Sequence, residues 1–434
     1  MVACPLSLRY ICDSIGDKPD FCLCTTASPK LFGGSKMTYR NFVLGAATLL
    51  AAGQAEAAVP TLDSPPISAQ FSATYYSNIA GSSAALATAR GLQRDDVLYA
   101  PAVLANLVEP MGGISFFLAG QAGYDIHQRN SQLDRERIDL QAGADTYVSV
   151  CDTTLIGSWG RHQSDLMDLS VGVTNNTQQV ISAGLDVSCD RMGRIVPSFG
   201  ISQMWSDNSA PQYFGQDFRN FSANAGVGYN FGPIGLISLF GQYSEATYPH
   251  RVFVTTGSPI TDGYNVYAGG VRFSRTIQDE IQIAAYLSQT SLSPNGGLGQ
   301  GFSGLTYGLN VGYTPSARWD LDLDFDRTAT PSYYQNASFA ISERYSGSVG
   351  YRFTSRLHAT IGTSDTHTKF NGVALIPGTN ITDQTYWSYY GTVAFNVSPT
   401  FSVSLNAGED QRHADVVGYS YSGGHVGVAL SKAF

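Results

Sequence analysis

The chain has 434 residues and a formal net charge of −9, and charged residues make up only 14% of it, against about 25% in an ordinary soluble protein. Glycine (46), tyrosine (25) and phenylalanine (22) are plentiful, while a mean hydropathy of −0.07 excludes a stack of apolar helices. Acidity without any basic cluster excludes a nucleic-acid binder, and only two lysines, Lys369 and Lys432, follow residue 57.

Residues 1–36 hold four of the six cysteines, Cys4, Cys12, Cys22 and Cys24, and precede a stretch that reads as an export signal. They are expected to be an over-extended N-terminus, with Met37 as the initiator. The alternative, a metal site on Cys22 and Cys24, lacks a second ligand pair. Residues 37–57 carry Arg40, an apolar run from Phe42 to Gly53, and the cleavage triplet Ala55-Glu56-Ala57. The run is short of the roughly 20 apolar residues a spanning helix needs, so a signal peptide cleaved after Ala57 is the reading. Residues 58–66 then form a short periplasmic segment.

From residue 67 to 434 the pattern alternates with the period of β-strands. The segments "VGYNFGPIGLISLFGQYSE" from Val227, "VGYTPSARWDLDLDFDR" from Val311 and "VGYRFTSRLHATIGTSD" from Val349 repeat one design, a strand ending in an aromatic, a tight turn and a second strand. The repeat recurs about every 40 residues, as propeller blades also do, but it holds two long strands rather than four short ones. Short turns such as 232–235 and 355–356 alternate with longer connections such as 248–262, 293–301 and 365–383. This predicts an all-β fold, a transmembrane antiparallel up-and-down β-barrel of about 18 strands (16–18), with short periplasmic turns and longer extracellular loops. Cys151 and Cys189 fall at predicted strands 135–150 and 177–189. Those strands would stand two apart, roughly 9–10 Å, so no disulfide is expected.

The stretch "RWDLDLDFDR" (318–327) sets Asp320, Asp322, Asp324 and Asp326 on one parity and Trp319, Leu321, Leu323 and Phe325 on the other. In a barrel the apolar set faces lipid, with Trp319 in the periplasmic aromatic girdle, and the aspartates face a wet lumen. Pairing with 339–354 sets Asp326 opposite Arg344, Asp320 opposite Gly350, and Arg352 opposite Arg318, one diagonal step from Asp320. The same parity rule predicts the lumen-lining set: Asp139, Asp145, Asp186, Arg272, Asp320, Asp322, Asp324, Asp326, Arg344, Arg352 and Asp410. The chain ends "HVGVALSKAF", with Val426, Val428, Leu430 and Phe434 on one parity. An aromatic terminus of this kind is the signal by which outer-membrane barrels meet their assembly machinery.

With the stretch "YYSNIA" (75–80) and the "VGY" hairpins in view, the chain resembles a group of β-barrel porins of Gram-negative outer membranes that are often linked to exopolysaccharide secretion. In that group a Y-x-x-N stretch ends the first strand, as Tyr75 and Asn78 do here. The resemblance implies an outer-membrane channel passing small hydrophilic solutes and serving exopolysaccharide export. Its expected partners are outer-membrane lipid and lipopolysaccharide, the assembly machinery acting through Phe434, and polysaccharide export proteins.

Two rival classes remain. A closed structural or adhesive barrel would fill its lumen with side chains, whereas 16–18 strands leave an aqueous channel. A barrel enzyme would need a nucleophile beside a base, and the scattered histidines sit in no such motif. The pairs His413 with Asp415 and Asp365 with His367 are too few for a metal site. Neither an enzyme nor a cofactor is expected.

Overall fold

The structure is a computed structural model that describes residues 8–12, 22–26, 66–164, 174–254, 259–295, 300–332, 337–372 and 381–434. The expected signal peptide, most of the N-terminal 36 residues and the segment 58–65 lie outside the described residues. Strands β1 (Leu8–Cys12) and β2 (Cys22–Thr26) form a separate antiparallel hairpin.

The remaining strands close on themselves. They are β3 (Ile67–Tyr76), β4 (Asp96–Met111), β5 (Ile114–His127), β6 (Arg135–Val148), β7 (Cys151–Gln163) and β8 (Thr177–Ser188). Then follow β9 (Ile195–Asn208), β10 (Phe218–Asn230), β11 (Leu236–Val254), β12 (Pro259–Ile277), β13 (Ile281–Pro294) and β14 (Phe302–Ser316). The last six are β15 (Trp319–Pro331), β16 (Phe339–Arg352), β17 (Leu357–Asn371), β18 (Asp383–Ser398), β19 (Phe401–Ala414) and β20 (Tyr421–Ala433). Every strand pairs antiparallel with its neighbours in sequence, and β20 pairs with β3 to make one closed barrel of 18 strands. Closure leaves no unpaired edge, the condition for a sheet to live in hydrocarbon.

The seam is held at its outer end by Asn78. Its side-chain amide donates to the carbonyls of Ser82 at 3.1 Å and Ser422 at 3.2 Å, while the Ser77 amide donates to Gly424 at 2.8 Å. The Y-x-x-N stretch therefore ties the first extracellular connection to the last strand, with Tyr75 on the outer surface.

The outer surface is apolar by strict alternation. Leu239, Leu287, Leu323, Ile361 and Leu405 stand exposed on it. Rings flank them in two belts. On the short-turn side Trp319 packs on Tyr351 at 4.5 Å, and Tyr229 on Phe231 at 4.6 Å. On the long-loop side Phe325 meets Tyr345 at 5.8 Å, and Tyr243 meets Tyr267 at 5.2 Å. Beyond this second belt the outer parity turns charged, with Arg327 and Glu343 paired at 3.4 Å. An apolar band between aromatic girdles is the surface of a membrane-spanning barrel. Among the described residues no helix is long and apolar enough to cross a membrane.

One expectation is overturned. Cys151 and Cys189 form a disulfide, with their Cα atoms 3.9 Å apart. Cys151 opens β7 rather than ending the strand before it, and β7 is the direct neighbour of β8. The pairing of Asp152 with Ser188 then sets the two cysteines opposite one another. The bridge joins two adjacent periplasmic turns.

Two outcomes follow. In unreduced protein neither Cys151 nor Cys189 is expected to react with a thiol reagent, and two reactive thiols by mass spectrometry would contradict the bridge. Leu323→Arg places a charge in the apolar band and is expected to destabilise the barrel by about 2–4 kcal/mol. Urea titration of barrel refolded into bilayers reads this, and an unchanged midpoint would place Leu323 outside the band.

Candidate functional site

A strand in a barrel has only two faces, so the residues that leave lipid enter the lumen. All eleven residues predicted for the inner wall take the inward parity, and each is half-buried. On β15 the four aspartates stand in a column, and the register with β16 is the expected one: Asp326 opposite Arg344, Asp324 opposite Ser346, Asp322 opposite Ser348 and Asp320 opposite Gly350. Across the other edge, the Asn310 amide donates to Asp324 Oδ1 at 2.5 Å and the Thr314 hydroxyl to Asp320 Oδ1 at 3.2 Å. Arg352 lies beside Arg318 as expected, its amide donating to the Arg318 carbonyl at 2.8 Å. Its guanidinium, however, turns to the Ala317 carbonyl at 3.0 Å, so it holds the periplasmic turn.

The other acids sit on β6, β8 and β19. Asp139 accepts from Gln121 at 3.4 Å, and Asp145 accepts from Thr154 at 2.7 Å. Asp410 stands 4.0 Å from His425. β6 to β8 lie about half-way round the barrel from β15 in the strand order, so acidic stretches face each other across the lumen. Arg272 stands over the Phe240 ring at 4.7 Å, on the wall between them.

Near the middle of the wall two inward aromatics lie flat. A Cβ at Gly308 would collide with the Tyr286 ring, and one at Gly362 with the Tyr390 ring. Glycine on the neighbouring strand thus lets each ring rest on the backbone instead of standing out into the lumen.

Toward the outer end the lumen changes character. Leu98, His127, Arg137, Tyr248, Tyr264, Leu292, Tyr386 and Arg412 all take the inward parity, and all are buried. Side chains of this size that face an open bore would meet water, so other chain covers them. Arg137 is paired with Asp125 at 3.6 Å, both nearly inaccessible. Tyr248, Tyr264, Val266, Leu292 and Phe339 form one apolar cluster, with Phe218, Phe302 and Ile341 against it.

The cover is made by extracellular connections. Between β3 and β4 the short helix α1 (Ala84–Ala89) packs Leu86 against the cluster of Ala414 and Tyr419, on which Ile381 and Val416 also pack. Amide and carboxylate latches link these connections around the rim. The backbone amides of Arg129 and Asn130 and the Asn130 side chain donate to Asp96, Asn176 donates to Asn208 at 2.8 Å, and Asn208 donates to Asp217. Burial lifts the Asp217 carboxyl above its ordinary range, with the Asn208 bonds and His250 at 3.4 Å opposing that rise.

The inner wall is therefore acidic along β6, β8 and β15 and is covered toward the long loops. An inward fold of Thr61–Pro66 or of a long loop is an alternative the sequence leaves open, without identifying the loops that make the cover. The cover's signal in the sequence is the change from polar to apolar on the inward parity, in Leu98, Tyr264, Val266 and Leu292. The histidine–acid pairs weighed as metal ligands have other roles: His367 lies 3.4 Å from Asp383, and Asp415 accepts from Thr382. Among the described residues no group of three His, Cys, Asp or Glu side chains is placed to hold a metal.

No protein-family model matches the chain, and no curated protein matches it. Solved structures similar to it are outer-membrane barrels. The FrpB iron transporter from Neisseria meningitidis aligns at a TM-score of 0.47 and 8% identity over 81% of this chain, which spans 63% of that protein's length. OccK2 (OpdF) from Pseudomonas aeruginosa, solved in complex with glucuronate, aligns at 0.45 and 11% over 86% of this chain and 100% of its own. A BenF-like porin from Pseudomonas fluorescens aligns at 0.46 and 11% over 86% and 100%. The likeness is one of barrel architecture. None of these proteins speaks for the exopolysaccharide link implied by the sequence resemblance.

Gly362→Val is expected to push the Tyr390 ring off the wall without harming assembly and, on the channel reading proposed below, to lower ion current through the barrel. Current equal to that of the parent protein would mean that the bore is not limited at this height.

Proposed function

We propose that the chain is an outer-membrane channel that passes small hydrophilic solutes and prefers cations. The observation that carries this reading is the acidic inner wall, half-exposed carboxylates on β6, β8 and β15 lining a barrel whose outside is apolar. Carboxylates on a barrel strand need water or partners, and an 18-strand barrel has room for water. Stripes of carboxylate raise the local concentration of cations and repel anions. The effect fades as salt screens the wall, the Debye length falling from about 10 Å at 0.1 M to about 3 Å at 1 M. Arg272 and Arg344 moderate the preference.

The finer part of the proposal, service in exopolysaccharide export with partner export proteins, rests on the sequence resemblance alone. A deletion strain that secretes as much polysaccharide as its parent would remove it. The second reading, a closed structural barrel, is favoured by one observation, the burial of large inward side chains at the outer end. The two readings differ in whether the bore conducts.

Purified protein in a planar bilayer under a KCl gradient tests the channel. A reversal potential of cationic sign is expected, and it should move toward zero in the variant Asp322→Asn with Asp324→Asn, which assembles normally because these residues face water. No current, or an anionic sign, would refute the proposal.

A further inference from the structure

The outer end of β11 carries the sequence "YPHR", where the β11–β12 register shifts between Tyr248 and Val252. The arginine of this irregular stretch, Arg251, is buried. Its Nε–H donates to the Gly215 carbonyl, and its Nη1–H donates to the Ser332 carbonyl at 3.1 Å. Asp262 Oδ2 lies 3.5 Å from Nη1, and the guanidinium stacks 3.9 Å above the Tyr248 ring. One planar group thus holds β11, β12, the β9–β10 connection and the end of β15.

The strand order makes this contact informative. β11 and β15 are separated by three strands, a span of about 19 Å along the wall, far beyond the reach of one side chain. Residues at the outer ends of β11 and β15 meet only if chain leaves the wall and crosses the mouth. One further observation agrees: Phe339, at the start of β16, belongs to one apolar cluster with Tyr248 of β11, Tyr264 of β12 and Leu292 of β13.

We infer that Arg251 is the clasp that holds this side of the outer mouth closed, so that the protein alternates between a clasped state and an open one. Arginine suits the task because its fork is rigid and donates in several directions at once, whereas a lysine ammonium is a point charge. Charge supplied by Asp262 and the face of Tyr248 offset the burial of the guanidinium. The clasp rests on the channel reading for its purpose, though not for its geometry.

Two readouts separate the clasp from the channel. Spin labels at Gln212→Cys and Thr330→Cys report the distance between the β9–β10 connection and the end of β15, and single-channel recording reports opening. Arg251→Ala is expected to lengthen and broaden the distance distribution and to raise the fraction of time spent in the open level by about tenfold or more, the factor one charge-assisted hydrogen bond supplies. Arg251→Lys should move both in the same direction. An unchanged distance distribution in Arg251→Ala would overturn the clasp whatever the current does. A broadened distribution with no current in any variant would uphold the clasp and refute the channel.

Discussion

Everything in this molecule depends on one constraint, that a backbone in hydrocarbon must pair each of its amides and carbonyls. The pairing of β20 with β3 meets it by leaving no edge. Once the sheet is closed, each strand has one face toward lipid and one toward the lumen, and a slip of one residue would exchange them. The register is therefore the physical quantity on which both stability and function rest. Alternation of apolar and polar residues along each strand enforces it, and Asn78 and the Cys151–Cys189 bridge pin it at opposite rims.

Within that frame the wall is not uniform along its height. Toward the short turns the inward parity carries the acids together with a few buried apolar side chains, Phe117, Val196 and Leu236. Toward the long loops the inward residues become large and are covered by chain that the latches of Asp96, Asn176, Asn208 and Asp217 knit together. These hydrogen bonds link the outer connections to one another.

Most of the barrel was legible in the sequence because period-two alternation is a direct image of its physics. The strand count, the apolar outer parity and the pairing of Asp326 with Arg344 all follow from it. What failed was of another kind. The disulfide was missed because its outcome turned on whether Cys151 ends one strand or starts the next, and strand ends are where alternation is least informative. Which loops cover the mouth was not legible, because loop contacts depend on where closure brings distant segments together. "YPHR" falls in the expected long connection 248–262, and in the fold it lies within the long β11, its arginine buried against the β9–β10 connection and the end of β15. No local pattern marks Arg251 as different from any other loop arginine.

The central claim is that the two parities of β15 meet different solvents. Single cysteines placed in turn at residues 320 to 326, in protein embedded in bilayers, test it most directly. The account predicts that a water-soluble thiol reagent modifies positions 320, 322, 324 and 326 rapidly and leaves 321, 323 and 325 nearly untouched, while a lipid-borne quencher reports the opposite set. Equal reactivity along the strand, or reaction at the odd positions alone, would contradict it.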